Sequence, residues 1–328
     1  MTAVIIVAIT VGIVIVTDIK PSYDFKYKAT RLCLVIGSAC NVKCKYCMRL
    51  NGQIREPKCI SDKLKEYIKK LDPSTTEAVI INGGEPLLYM DRIKEVFSYV
   101  PKSIHKCVMT NGTLLTQEIV DYLNSINAEL HFSHEGTAAK ILKGVDVLED
   151  QKIVDLLNQI ENIRIYTLIC KYNTDLVKNY EYIMSKLNKI KTVWYTPFPA
   201  FVFKGTEYLV DGFNWDEFSR TYLELRERYP NHCTSVCEWH EKTVRNNGFV
   251  FLPDGSIACL NTLKPYGTLE DTKEEIYARR DREMKNQYCD KADCPIREHC
   301  GMCPQFANEF TCKAQQIMFE IRQFKDDN

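Results

Sequence analysis

The sequence predicts an α/β fold, a partial (β/α)6 barrel followed by a small cysteine-rich region, and two observations lead to it. Six short apolar runs alternate with segments of helical spacing between residues 31 and about 200. Beyond that point the alternation stops, and eight of the fifteen cysteines follow. Strands separated by helices pair in parallel through right-handed crossovers, so six such units build a partial barrel.

The composition excludes several classes of protein. The 328 residues are 45% hydrophobic and include 43 basic and 43 acidic side chains, so the formal net charge is zero. Neutrality without a long basic run leaves no electrostatic footprint for nucleic acid. An odd number of cysteines gathered in clusters is unlike a secreted disulfide framework and fits metal ligation in a reducing compartment. We therefore expect a cytoplasmic protein without a nucleic-acid partner.

Residues 1–30 form an apolar lead-in. Residues 3–16 are almost all apolar and rich in Val, Ile and Thr. A helix over residues 2–17 would reach about 24 Å, short of a hydrocarbon core of roughly 30 Å. No basic residue precedes the segment, so it lacks the positively charged start of a signal peptide. The β-branched density favours a strand or hairpin with Gly12 near the bend. Membrane contact by residues 3–16 is the alternative, with the basic residues behind it keeping the rest in the cytoplasm.

Residues 31–205 form the predicted barrel. Its strands are the apolar runs 32–36, 78–81, 107–109, 130–133, 163–169 and 193–195. The first helix has Leu64, Ile68 and Leu71 at positions i, i+4 and i+7 behind Ser61 as its N-cap, and segments 116–126 and 174–190 have the same character. Ligands of such sheets bind beyond the carboxyl ends of the strands, so the residues that end each run are site candidates.

The first strand is followed by Cys40, Cys44 and Cys47, a CxxxCxxC pattern with Tyr46 before its last cysteine. Three thiolates can hold three corners of a four-iron, four-sulfur cube, whereas a cluster ligated only by protein takes four. The fourth iron is then open to a small molecule. Zinc is the alternative, but zinc sites usually pair cysteines as CxxC with a second, distant pair.

This loop resembles the cluster-binding loop of the radical S-adenosylmethionine (SAM) superfamily. The resemblance implies that Cys40, Cys44 and Cys47 hold a [4Fe-4S] cluster whose open iron binds SAM, with Tyr46 at the cofactor. An electron then cleaves SAM to a 5′-deoxyadenosyl radical. The superfamily's core fold is also a partial (β/α)6 barrel, here the radical SAM barrel of residues 31–205.

Turns after the second and third strands resemble further motifs of this family. Gly83, Gly84, Glu85 and Pro86 match its GGEP motif, which contacts the SAM amino group, and a simple Gly-Gly turn is the alternative. Asn111 lies in a Thr-Asn-Gly turn that also occurs in the family, although such a turn forms equally well for local reasons.

The fourth strand ends near three more candidates. Relatives often have Ser-x-Asp-Gly here, which implies that Ser133 reaches the SAM ribose, but Glu135 replaces the Asp. Lys143 lies where many relatives carry an Arg near the SAM carboxylate, and a solvated helix face is the alternative. His134 is a candidate catalytic proton donor or acceptor, and a structural histidine is the alternative.

Residues 206–328 form a second predicted region. A helix is expected over about 215–228 with Asn214 as N-cap, a hairpin around 253–256, and a capping box from Thr272 to Glu275. Eight cysteines are two sets of four, the number that closes two clusters, and a zinc ribbon is the alternative.

This layout resembles the SPASM extension of radical SAM enzymes, a hairpin-containing domain with two auxiliary [4Fe-4S] clusters. The resemblance implies one cluster on Cys233, Cys237, Cys259 and Cys303. It implies another on Cys289, Cys294, Cys300 and Cys312. Four cysteines are left over: Cys33, Cys59, Cys107 and Cys170. Three of these four lie within or beside apolar runs and are expected to be small buried hydrophobes.

The resemblance also implies a function. SPASM-type enzymes mostly act on peptides or proteins, so crosslinking or oxidation of a ribosomal peptide is the leading hypothesis. It requires a reducing electron donor such as flavodoxin or ferredoxin. Because residues 1–30 are too short for the small peptide-recognition domain of many such enzymes, this hypothesis requires either a separate leader-peptide-binding protein or a substrate without a leader. The same shortness would equally suit a small-molecule or sugar substrate. The alternatives are sulfatase maturation, modification of a small molecule or sugar, and two non-enzymes: an iron–sulfur electron carrier or a zinc-stabilised binding protein. A carrier needs neither an open iron nor a GGEP turn.

Overall fold

A hairpin and a ten-stranded sheet make up the β structure of the computed structural model, which describes residues 6–9, 12–15, 23–47, 59–197, 205–230, 233–235, 249–259, 263–283 and 308–326. The hairpin pairs β1 (Ile6–Ile9) antiparallel with β2 (Gly12–Ile15), as the β-branched residues predict. Among these described residues, no helix combines the length and the apolar character needed to cross a bilayer.

Six parallel strands in chain order form the centre of the large sheet, and each overlaps one of the predicted apolar runs. The α/β fold and the partial (β/α)6 barrel are therefore confirmed. The strands are β3 (Arg31–Val35), β4 (Ala78–Asn82), β5 (His105–Thr110), β6 (Glu129–Ser133), β7 (Ile163–Ile169) and β8 (Ile190–Pro197).

Helices connect these strands. Ser61 caps the first, since its hydroxyl oxygen accepts a hydrogen bond from the Leu64 amide at 3.2 Å, as predicted. Segment 174–190 forms a shorter helix than predicted, because its end turns into the next strand. The helices are α1 (Asp62–Lys69), α2 (Met90–Tyr99), α3 (Gln117–Ser125), α4 (Ala139–Lys143), α5 (Gln151–Leu157) and α6 (Leu176–Met184).

The two faces of the sheet differ in chemistry. The outer face carries aliphatic residues such as Leu34, Ile81 and Val108, which pack against the crossover helices in the main core. Successive residues of a strand alternate between faces, so the inner face carries the residues between them. These are more polar and include Arg31, Cys33, Asn82, Cys107, Glu129, His131, Ser133 and Arg164. The inner face therefore offers the functional groups.

The later elements extend the same sheet at both edges. β9 (Cys233–Ser235) pairs with β8 at one edge, and β10 (Phe249–Phe251) pairs with β3 at the other, followed by β11 (Ser256–Cys259) and β12 (Pro265–Thr268). The division into domains at residue 205 stays a prediction, since the sheet runs across it. The helices of this region are α7 (Trp215–Arg228), α8 (Lys273–Glu283) and α9 (Glu309–Asp326).

Local signals in this region are confirmed. Asn214 caps α7 by accepting from the Glu217 amide at 3.1 Å. Thr272 and Glu275 form both arms of the capping box, with the Thr272 amide donating to the Glu275 carboxylate at 2.8 Å. The hairpin of β10 and β11 turns at Gly255, whose φ of +88° favours glycine.

The core makes a direct prediction about stability. Leu34 is 0% exposed between the sheet and the helices, so Leu34→Ala leaves a cavity and should lower the free energy of unfolding by about 2–5 kcal/mol. Leu88→Ala is the control, because Leu88 is 45% exposed and should change it little. Urea denaturation followed by circular dichroism gives both values, and equal midpoints would contradict this packing.

Candidate active site

The loop that follows β3 carries the three clustered cysteines and is bonded to the turn after β4. The Gly84 amide donates to the Gly37 carbonyl at 3.0 Å, and the Glu85 amide donates to the Ala39 carbonyl at 2.8 Å. These bonds fix the backbone just before Cys40. The predicted GGEP turn therefore lies against the cysteine loop.

This contact requires glycine. A Cβ atom on Gly84 would lie 2.2 Å from the Ala39 carbonyl oxygen and 2.3 Å from that of Ser38, and one on Gly83 would lie 2.6 Å from the Gly37 carbonyl oxygen. Real Cβ atoms do not approach backbone so closely. The two glycines thus let two stretches of backbone come into contact. This packing is a structural reason for glycine at both positions of the motif.

Glu85 joins this turn to the next one. One carboxylate oxygen accepts from the Thr110 hydroxyl at 2.7 Å and the Leu87 amide at 3.0 Å, and the other accepts from the Asn111 amide at 2.9 Å. The side chain is fully buried, and this burial raises the pKa of Glu85 although the hydrogen bonds oppose it. Glu85 therefore links the turns after β4 and β5 by hydrogen bonds, and its side chain does not face solvent.

The turn after β5 contacts the cysteine loop through side chains. The Asn111 amide nitrogen donates to the Asn41 side-chain oxygen at 3.1 Å and lies 3.8 Å from the Cys40 sulfur. Asn41 in turn donates to the Thr113 hydroxyl at 2.7 Å. Asn111 thus lies beside the first cysteine, as its place after the strand predicts.

The end of β6 contacts the last part of the loop. The Tyr46 hydroxyl donates to one carboxylate oxygen of Glu135 at 2.5 Å, and the Lys143 ammonium pairs with the other at 3.0 Å. Lys143 also donates to the carbonyl and to the hydroxyl of Ser133. Burial, and then the Glu135 charge, raises the pKa of Tyr46 well above its usual value, so its hydroxyl keeps the proton that it donates.

Lys143 is buried, so the alternative of a solvated helix face is wrong. Its side chain is 5% exposed, and that of Glu135 is 1% exposed. The neighbouring carbonyl of Leu142 accepts from the Lys45 amide at 2.8 Å, which brings the end of α4 against the cysteine loop. A buried ion pair beside three cysteines is typical of a binding site.

Both ring nitrogens of His134 have hydrogen-bond partners within the protein. Its Nδ1 accepts from the Gly136 amide at 3.1 Å, so its Nε2 carries the proton and donates to Asp146 at 2.9 Å. Asp146 also accepts from the Tyr182 hydroxyl at 2.7 Å. This geometry favours the structural alternative, and we leave His134 out of the chemistry proposed below.

The three cysteines suit a cluster better than a single ion. The ligands of one tetrahedral zinc lie about 4 Å apart, since each is about 2.3 Å from the metal. Among the described residues, the sulfurs of Cys40, Cys44 and Cys47 are not a group within 4.8 Å of one another. A cube binds each cysteine to a separate iron, which allows wider spacing. Burial raises the pKa of Cys44 to about 12 and also raises that of Cys40, so iron must displace thiol protons.

Most of the predicted tail ligands lie outside the described residues: Cys237, Cys289, Cys294, Cys300 and Cys303. Cys312 is half-buried on α9. Cys233 and Cys259 lie on β9 and β11, and seven strands separate these two in the sheet order. Their proposed common cluster therefore needs curvature that brings the two edges of the sheet together.

Sequence reasoning missed a clamp at the start of α2. The Tyr89 hydroxyl accepts from the Ala39 amide at 3.1 Å, and Arg92 donates to the Ile36 carbonyl at 2.7 Å while stacking on the Tyr89 ring. A Cβ atom on Gly37 would lie 2.3 Å from that ring. Gly37 after the first apolar run was the available signal for a close contact. Its partner Tyr89 lies about fifty residues further along the chain, so the sequence did not reveal the contact.

Comparison with known proteins shows which family this chain resembles. The family model of the Radical SAM superfamily matches residues 34–193. A GTP 3′,8-cyclase of Aliarcobacter butzleri is 29% identical in an alignment of 228 residues that covers 64% of this chain and 66% of that protein. A second curated relative is matched over 58% of its length. The chain thus spans less than two thirds of these relatives.

Two solved structures share the fold over most of the chain. Native anSMEcpe with bound AdoMet and Kp18Cys peptide aligns with a TM-score of 0.66 at 17% identity, covering 90% of this chain and 97% of that one. Streptococcus suis SuiB bound to precursor peptide SuiA aligns with a TM-score of 0.59 at 18% identity, covering 89% and 73%. At these identities the likeness establishes the fold.

The glycine contact yields a prediction. Gly84→Ala should force the cysteine loop away from the β4 turn, because backbone carbonyls cannot yield as a side chain would, and iron bound at this loop after anaerobic reconstitution should fall severalfold. Gly144→Ala is the control, since nothing lies within 4 Å of its added Cβ and only its φ of +76° is strained. Equal iron contents in the two variants would show that the loops tolerate separation.

Proposed function

Because residues 34–193 form a Radical SAM superfamily domain, we propose that this chain cleaves SAM reductively and uses the resulting radical to modify a peptide or protein. The observation that carries the proposal is the convergence of four consecutive strand ends on one loop. The turns after β4, β5 and β6 each contact the segment of residues 36–47 that follows β3. Such a cage fits a cofactor site at the carboxyl end of a parallel sheet.

The chain's residues divide the work. Cys40, Cys44 and Cys47 hold the cluster, which when bound supplies the electron for SAM cleavage. Asn111 and the Gly83–Pro86 turn hold the loop and line the space next to it. The Lys143 ammonium, now paired with Glu135, is the cation available to an amino-acid carboxylate. Ser133 accepts from Lys143 and keeps that ammonium at the strand end.

Exposed apolar side chains support a large substrate. Within the described part of the chain, the exposed large hydrophobic residues lie in the connections that follow β4, β6, β7 and β8, and we call them the apolar rim: Leu88, Ile141, Tyr172 and Tyr208. Such side chains offer apolar contact area to a substrate that is large enough to reach them. Two solved structures of the same fold hold a peptide, Kp18Cys in one and SuiA in the other, and this supports a peptide as the substrate.

A small-molecule substrate is the second candidate, because the GTP 3′,8-cyclase relative matches 64% of this chain. A triphosphate requires cationic side chains to neutralise it. The arginines described on the inner face, Arg31 and Arg164, are paired with Glu77 and Glu129. This neutralised face favours the peptide. Stimulation of SAM cleavage by peptides, and not by nucleoside triphosphates, is the outcome that separates the candidates.

The tail is assigned to auxiliary chemistry within the same proposal. Two further [4Fe-4S] clusters on the eight tail cysteines would accept the electron that a substrate radical gives up as it is oxidised, or would position the substrate. Reduction of the first cluster calls for a donor such as flavodoxin or ferredoxin, and a leader-bearing peptide would call for a separate leader-binding protein. We place all of this in the cytoplasm, where thiols stay reduced.

The central test removes the cluster loop. A variant with Cys40, Cys44 and Cys47 changed to Ala should release no 5′-deoxyadenosine from SAM under anaerobic reduction, because no open iron remains, while iron on the tail persists. Cys59→Ala is the matched control, since Cys59 is exposed and belongs to neither set. Undiminished 5′-deoxyadenosine from the triple variant would overturn the proposed function.

The ion pair gives a second test. Lys143→Met should weaken SAM binding by tenfold or more in equilibrium dialysis, since the cation that meets the carboxylate is lost. Lys143→Arg should restore much of it, which a purely structural defect would not allow. Lys140→Met on the same helix is the control, because Lys140 is 67% exposed and pairs with Glu149 at the surface. Equal affinity in the Lys143→Met and Lys140→Met variants would remove Lys143 from the SAM site.

A further inference from the structure

A second group of metal-binding side chains lies away from the cysteine loop. Cys107, Glu129 and His131 each place one ligand atom within 4.8 Å of the others, and all three are largely buried. Among the described residues they are the one group of three or more that meets this criterion. None of them belongs to the motifs that identify the SAM site.

The sheet itself brings these residues together. Cys107 on β5 and Glu129 on β6 are register partners on neighbouring parallel strands, and His131 follows two residues later on the same face. The group thus lies on the inner face toward the amino end of the strands. Glu129 lies four positions and His131 two positions before Ser133, about 13 Å and about 7 Å along an extended strand, so the group lies farther from the carboxyl ends of the strands than Ser133 does.

We propose that Cys107 and His131 bind a thiophilic divalent ion of the zinc type, with Glu129 as a third ligand or as the partner that orients the imidazole. Thiol sulfur, imidazole nitrogen and carboxylate oxygen are together the donors that zinc takes in proteins. The group needs a fourth ligand, which water can supply. The inference is independent of SAM cleavage.

Hydrogen bonding prepares the imidazole for a metal. The ring Nε2 lies 2.8 Å from a Glu129 carboxylate oxygen. Burial alone would raise the pKa of Glu129, but the bond from His131 and the charge of Arg164 lower it, so this carboxylate is ionised and only accepts. Burial lowers the pKa of His131 and so favours the neutral imidazole, and the contact with the Glu129 carboxylate places the ring proton on Nε2. A carboxylate that holds one nitrogen while the other ligates is the usual arrangement at zinc histidines.

The surrounding charges set the condition for binding. Arg164 pairs with Glu129 at 2.7 Å, Arg31 pairs with Glu77 at 2.6 Å, and the Tyr166 ring lies 5.2 Å from that of His131. Binding exchanges the thiol proton of Cys107 for the ion, so one proton leaves and the site gains one positive charge. Ionisation of the water on the metal would cancel that charge, and zinc lowers the pKa of its water to about 7.

Metal analysis of matched variants tests the proposal. The chain is purified anaerobically, loaded with zinc and desalted, and its zinc is counted by mass spectrometry. Cys107→Ser and His131→Asn should each hold about one zinc fewer per chain than the unaltered protein. Cys33→Ser is the control, because Cys33 lies on the same face in the same register row, separated from Cys107 by the strand that carries Ile80.

A second measurement covers variants that fail to fold. Crystals of the unaltered, zinc-loaded protein should show an anomalous peak at the zinc edge between β5 and β6, beside Cys107 and His131. Absence of that peak, or zinc contents equal in the unaltered protein and the Cys107→Ser variant, would overturn the proposal. The three side chains would then be a polar network completed by Arg164.

Discussion

The site depends on one contact, the meeting of two backbone segments at Gly37–Ala39 and Gly83–Glu85. Two amides of the second segment donate to two carbonyls of the first, and glycine is the residue that permits this distance. The neighbouring turns and the cysteine loop are positioned by this contact. The Glu85 carboxylate bonds this turn to the turn after β5. Cys40 is the next residue after Ala39, whose carbonyl the contact fixes.

A second constraint is the burial of Glu135. A carboxylate taken out of water must find compensation, and here a phenol and an ammonium provide it from different parts of the chain. The consequence is that Tyr46 in the cysteine loop and Lys143 at the end of α4 share one partner. A change of charge at Lys143 therefore acts, through Glu135, on the loop that carries the three cysteines.

The inner and outer faces of the sheet separate stability from function. The outer face is aliphatic and buried under helices, which stabilises the barrel through the hydrophobic effect. The inner face keeps polar groups, including the trio of Cys107, Glu129 and His131. The expectation that Cys107 is simply a small buried hydrophobe holds for its burial and overlooks its neighbours.

Local pattern determined much of this protein. The six strands, the caps at Ser61, Asn214 and Thr272, and the β10–β11 hairpin depend on nearest neighbours in sequence, so the sequence by itself predicts them. The candidate residues Cys40, Asn111 and Ser133 were predictable because strand ends converge in any parallel sheet. Only the tertiary structure decided which partners they meet. The bonds of Tyr46 to Glu135 and of Ala39 to Tyr89 join residues 89 and 50 positions apart, and both edges of the sheet are completed by distant strands. Such pairings depend on how helices and strands pack, a long-range property that no local pattern encodes.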